Sequence, residues 1–201
     1  MIMKGFSRII NTHFVLLSCL LCMACQPDSG DLVPVLQDGA KIVSAQSKAD
    51  NALQYDNEDF SLEVSGNWES LHGDLDITVV LSNRSPNKIT GNFNKAATAN
   101  SFNDNIQVLS VENRYLDVSN RVIENKIVEV DSNQTKIINV GIGEKNRDYK
   151  GKKKYRGNEF SMTIPVNVEK NNGSTTTDYN FRFKYADYQP ESSNNNQSLI
   201  N

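Results

Sequence analysis

The sequence predicts an all-β, antiparallel sandwich. Two observations carry this. Apolar residues recur with period two over most of residues 60–188, and no stretch there shows a 3.6-residue apolar stripe. Clusters of Asn, Gly and Ser separate the alternating runs, as turns between strands require.

The runs can be taken in order. Phe60, Leu62 and Val64 share one face, with Ser61 and Glu63 opposite. Leu75, Ile77, Val79 and Leu81 alternate with Asp76, Thr78 and Ser82. Ile106 with Val108, and Val128 with Val130, continue the habit over shorter spans. Ile138, Val140 and Ile142 alternate with Asn139 and Gly141. Met162, Ile164, Val166 and Val168 form the next face, and Tyr179, Phe181, Phe183 and Tyr185 the last. One apolar face per strand describes antiparallel sheets packed on one side. The last two runs should pair as a hairpin around Asn171–Ser174. Pro165 cannot donate to a sheet ladder, so its strand is expected at an edge or bulged there. About 130 residues suit an immunoglobulin-like sandwich of seven to nine strands. All three cysteines lie at or before position 25, so no disulfide can link its sheets. Trp68, the only tryptophan, reads as a core residue between the first two strands.

The chain has 201 residues, a mean hydropathy of -0.51 and a net charge of -3. A globally basic nucleic-acid binder is excluded. The predicted organisation is a signal peptide at 1–24, a tether at 25–58, the sandwich at 59–188 and a disordered tail at 189–201. The tether is polar, with Pro27, Gly30, Pro34 and Gly39, and Ser44–Tyr55 could form at most a short helix. The tail, with Pro190 and three consecutive Asn, cannot bury enough apolar surface to order itself.

The leader begins with Lys4 and Arg8, continues through an apolar stretch to Leu21 and turns polar at Gln26. That is the pattern of a secretory signal peptide. It is too short and too interrupted by Asn11, Thr12 and His13 for a spanning helix. Its end, Leu21-Cys22-Met23-Ala24-Cys25, resembles the lipobox of bacterial lipoproteins. Ala24 matches the small residue before the modified cysteine, while Cys22 stands where that family usually has Leu. Leu16-Leu17-Ser18-Cys19 is the alternative, with Cys19 as the acylated residue. The polarity change after Cys25 favours Cys25. The resemblance implies an extracytoplasmic protein held in a membrane by several acyl chains on one cysteine, which a single chain could not do stably. Gln26 rather than Asp after the cysteine implies the outer membrane if the host is Gram-negative.

Little else in the sequence carries chemistry. His72 is the only histidine after the leader, and a lone His without thiolates does not make a zinc site. No phosphate-binding loop, dinucleotide fingerprint or nucleophile elbow is present, so no metal, cofactor or catalytic residue is assigned. Glu63, Asp74 and Asp76 lie on predicted strand faces or at their ends, where solvation explains them, although a two-carboxylate hydrolase is a distant alternative.

One segment is unusual. Between Glu144 and Gly157 lie Lys145, Arg147, Lys150, Lys152, Lys153, Lys154 and Arg156, interleaved with Tyr149 and Tyr155. With Glu144 and Asp148 the local charge is about +5, against about -10 for the rest of the chain after leader removal. Such a segment suits an anionic partner. An extracytoplasmic setting points to a protein or an anionic envelope polymer rather than nucleic acid. The expected function is a lipid-anchored, non-enzymatic binding or structural module. A sugar or small-molecule binder using a cleft near Trp68 is the alternative.

Overall fold

The computed structural model describes residues 29–45, 51–69, 75–100, 106–114, 121–144, 159–170 and 173–185. Among the described residues every regular element is a strand: β1 (Ser29–Pro34), β2 (Ala40–Ser44), β3 (Asn51–Asp56), β4 (Phe60–Glu69), β5 (Leu75–Asn83), β6 (Ile89–Asn92), β7 (Ala97–Asn100), β8 (Ile106–Asn113), β9 (Arg121–Val122), β10 (Ile127–Val130), β11 (Thr135–Glu144), β12 (Glu159–Lys170) and β13 (Gly173–Tyr185). All pairings are antiparallel.

The strands form one continuous sheet that curls over on itself. The main path runs β10-β6-β12-β13-β1-β4-β5-β11-β8-β9, with β2-β3 added beside β4 and β7 beside β12. The fold line is β1. Its first half, Ser29–Asp31, pairs with β4, and its second half, Leu32–Pro34, pairs with β13. The two halves of the sheet thus face each other across one core, a curled half-barrel closed along one edge in the manner of a sandwich. The strand count of thirteen exceeds the expected seven to nine because β1–β3, β6, β7 and β9 are too short or too polar to show a period-two pattern.

Every alternating run read from the sequence is a strand, and its apolar face is the inner one. Phe60, Leu62 and Val64 of β4, Ile77, Val79 and Leu81 of β5, and Ile138, Val140 and Ile142 of β11 line one layer. Phe160, Met162, Ile164 and Val166 of β12, with Phe181 and Phe183 of β13, line the other. Both sets belong to one core. The predicted hairpin is present, with β12 and β13 in register from Glu159↔Lys184 to Lys170↔Gly173. Gly173 adopts φ +130°, a conformation that L side chains rarely reach.

Three expectations are corrected. The segment read as a tether carries β1, β2 and β3. Leu32, Ala52 and Leu53 are buried, at 1% exposure or less. Gly30 lies within β1, Pro34 ends that strand and Gly39 (φ +76°) makes the β1–β2 turn, so these residues that suggested a linker belong to the domain. Among the described residues of Ser44–Tyr55 no helix is formed: they are the end of β2, the following Ala45 and most of β3. Last, Pro165 lies in an interior strand. On one side β12 pairs with β13 throughout, and on the other β7 covers Phe160–Thr163 and β6 covers Val166–Val168. Pro165 falls in the gap between those two neighbours, where a missing N–H costs no ladder bond.

Candidate functional site

Cys25, the alternative Cys19, His72 and the whole basic segment from Lys145 to Arg156 lie outside the described residues. What the structure provides is the strands that lead into them. β1 enters at Ser29, opposite Glu69 at the end of β4. β5 starts beside that end, with Leu75 opposite Trp68 and Ile142. β11 runs on to Glu144, opposite Ile106 at the start of β8. In the other layer β12 starts at Glu159, opposite Lys184 near the end of β13. One pole of the sandwich therefore collects the entry of the chain from Cys25 and both flanks of the basic segment. It also collects the ends that lead into residues 70–74 and 101–105.

A groove lies on the outer face of the first layer, close to this pole. It has a volume of about 600 Å³ and is lined by Asn67, Asp76, Ile77, Thr78, Ser110, Glu112, Arg114, Asn139, Val140 and Gly141. Registry explains its composition. Ile77 and Val140 turn their side chains into the core. Their neighbours in β5 and β11 therefore point outward. Asn67, Asp76, Gly141 and Ser110 stand in one row across β4, β5, β11 and β8. Thr78, Asn139 and Glu112 form the next row, about 7 Å away.

Two local features shape the groove floor. The pairing of β11 with β8 shifts register between Gly141 and Ile142, so that Leu109 is an extra residue on β8. A bulge of this kind bends its strand and increases the twist. Gly141 also has no side chain to fill the floor. A Cβ there would stand 2.5 Å from the Ser110 Oγ.

The electrostatics are mixed. The lining holds one guanidinium, Arg114, and two carboxylates, Asp76 and Glu112. Among the described residues Glu112 and Arg114 form no salt bridge. The Asn67 amide donates to Asp31 Oδ1 at 2.6 Å, which ties the groove edge to β1. No group of three or more His, Cys, Asp or Glu able to hold a metal is present among the described residues.

Of the acids singled out from the sequence, Asp74 lies outside the described residues, and Glu63 and Asp76 do not converge. Glu63 is 3% exposed on β4, paired with Val80, whereas Asp76 pairs with Asn67 four residues further on. Their Cα atoms are about 14 Å apart on ideal strand spacings. Trp68 is 6% exposed, and its ring meets Tyr185 edge-on at 5.9 Å. Trp68 does not line the groove, which starts at its neighbour Asn67 on the opposite side of β4. Sequence reasoning passed over Ser110, Glu112, Arg114 and Asn139. Each looks like an ordinary solvated strand residue until β5, β11 and β8 are placed side by side. The chain matches no known family model and no curated protein sequence.

Proposed function

We propose that the protein is a lipid-anchored, non-enzymatic envelope module, held by acylated Cys25 and presenting its basic segment to an anionic partner. The observation that carries this reading is the shared pole. Three residues stand between Cys25 and Ser29, a reach of at most about 14 Å over four residue steps. The flanks of the basic segment, Glu144 and Glu159, lie at that same end of the sandwich. An anchored body would thus sit close to the bilayer with about five net positive charges directed at its surroundings. Acyl chains and a basic surface are two anchoring signals that reinforce each other.

Two experiments test this. Mass spectrometry of the amino-terminal tryptic peptide should show Cys25 as an acylated first residue, and an unmodified Cys25 within an intact leader sinks the anchor. Replacing Lys152, Lys153, Lys154 and Arg156 together by Ser should weaken retention on anionic envelope polymer or anionic vesicles, and added salt should do the same. Equal retention of variant and wild type removes the basic segment from the reading.

A further inference from the structure

The outer groove is lined by residues of β4, β5, β8 and β11 and by Arg114 just after β8, and its chemistry selects a ligand class. An anion meets two carboxylates against one guanidinium there. An apolar ligand finds little to bury against, because Ile77 and Val140 turn inward. What remains is a dense set of neutral and opposed polar groups on two adjacent rows, with Arg114 one step beyond them level with Ile137. Thr78 and Ser110 are hydroxyls that both donate and accept. Asn139 offers an amide with both functions, Glu112 is an acceptor, and Arg114 is a planar donor fork. Among the described residues no side-chain hydrogen bond occupies Thr78, Ser110, Glu112, Arg114 or Asn139.

Vicinal hydroxyls present alternating donors and acceptors at short spacing, and planar carboxylate, amide and guanidinium groups engage them in pairs. The volume of about 600 Å³ falls in the range of small-ligand sites. From this we infer that the groove bounded by Asp76, Thr78, Ser110, Glu112, Arg114 and Asn139 binds a neutral oligosaccharide. No aromatic ring lines it, so recognition rests on hydrogen bonds in an open, hydrated site. The affinity is accordingly modest, with Kd on the order of 1 mM.

The test uses the full-length chain in a detergent without a sugar headgroup, followed by amide NMR. The probes are neutral hexose and N-acetylhexosamine tetrasaccharides, with neutral tetrapeptides as controls. A tetrasaccharide should give saturable shifts centred on residues 76–78, 110–114 and 139–141, and the peptides should give none there. The double variant Glu112→Gln with Asn139→Ala should bind about tenfold more weakly at an unchanged melting temperature. Gly141→Ala, which pushes a Cβ at the Ser110 hydroxyl, is an independent second lesion of the floor and should also weaken binding. The inference is overturned if no tetrasaccharide gives saturable shifts, if the shifts fall elsewhere, if peptides bind equally well, or if both variants bind like wild type. None of these outcomes depends on acylation of Cys25, so this inference and the anchor reading fail separately.

Discussion

The Tyr55 hydroxyl donates a hydrogen bond to the carbonyl oxygen of Asn180 at 2.8 Å. Tyr55 belongs to β3 in one layer and Asn180 to β13 in the other. The same ring lies edge-on to Tyr179 at 5.0 Å and to Phe181 at 5.3 Å. Side chains thus close the seam between layers where β1 no longer bridges them with backbone. Tyr55→Phe keeps the ring contacts and loses the hydrogen bond. It should cost about 1 kcal/mol, read as a lowered denaturant midpoint. Tyr55→Ala also loses the aromatic contacts and should cost clearly more.

If β1 is part of the folded body, Leu32→Ala leaves a cavity in the core. The expected destabilisation is about 2–5 kcal/mol in a chemical melt. A tether residue would give no change, so the size of this effect measures whether the segment before residue 58 folds with the rest.

Gly66 sits on the inner face of β4 under tight neighbours. A Cβ there would lie 2.6 Å from Ile77 Cδ1, 2.8 Å from the Asp76 carbonyl oxygen and 3.2 Å from Leu32 Cδ1. The backbone oxygen cannot swing away as a side chain can. Gly66→Ala should lower stability by about 1–3 kcal/mol, measured by thermal or denaturant unfolding.

The Tyr185 hydroxyl is buried and has no hydrogen-bond partner among the described residues. Burial pushes its ionisation well above the ordinary value of 10.0. Tyr185→Phe removes the unsatisfied group and keeps the ring against Trp68, so it should stabilise the protein by about 1 kcal/mol at neutral pH. Above pH 10 an unfolded Tyr185 ionises while the folded one holds its proton. Ionisation then favours the unfolded chain, and wild-type stability falls as pH rises. The advantage of Tyr185→Phe should therefore widen between neutral pH and pH 11 in paired melts.

Asp56 receives hydrogen bonds from Arg84 and from Lys41, the latter at 3.1 Å. Arg84, and after it Lys41, holds the carboxyl below its ordinary value of 3.8. A carboxyl lowered in the folded state stabilises it above the unfolded value, and that contribution disappears as pH falls through the folded one. Stability of the wild type should drop below about pH 4, and Asp56→Asn should show a flatter acid limb. Equal slopes in the two proteins would show that other acids set the limb.

Local pattern was enough for the strands that carry the core. Alternation at Leu75–Leu81, Ile138–Ile142 and Met162–Val168 assigns an inner and an outer face to each strand, because successive side chains point to opposite sides. The all-β class, the β12–β13 hairpin and the burial of Trp68 followed from the sequence, whereas the segment read as a leader, with its cysteines, lies outside the described residues. Pairing was not legible. β1 earns its place by bonding to β4 with one half and to β13 with the other, and six residues show no period that announces this. Residues 29–56 read as polar linker because Leu32 and Leu53 bury their side chains only against distant strands. The groove is the clearest case. Asp76, Ser110, Glu112 and Asn139 come from three strands far apart in sequence, and each alone is a solvated residue. Only the β5-β11-β8 register, with the bulge at Leu109 and the bare Gly141, gathers them onto one surface, because cross-strand neighbours are set by long-range backbone hydrogen bonds that no local pattern encodes.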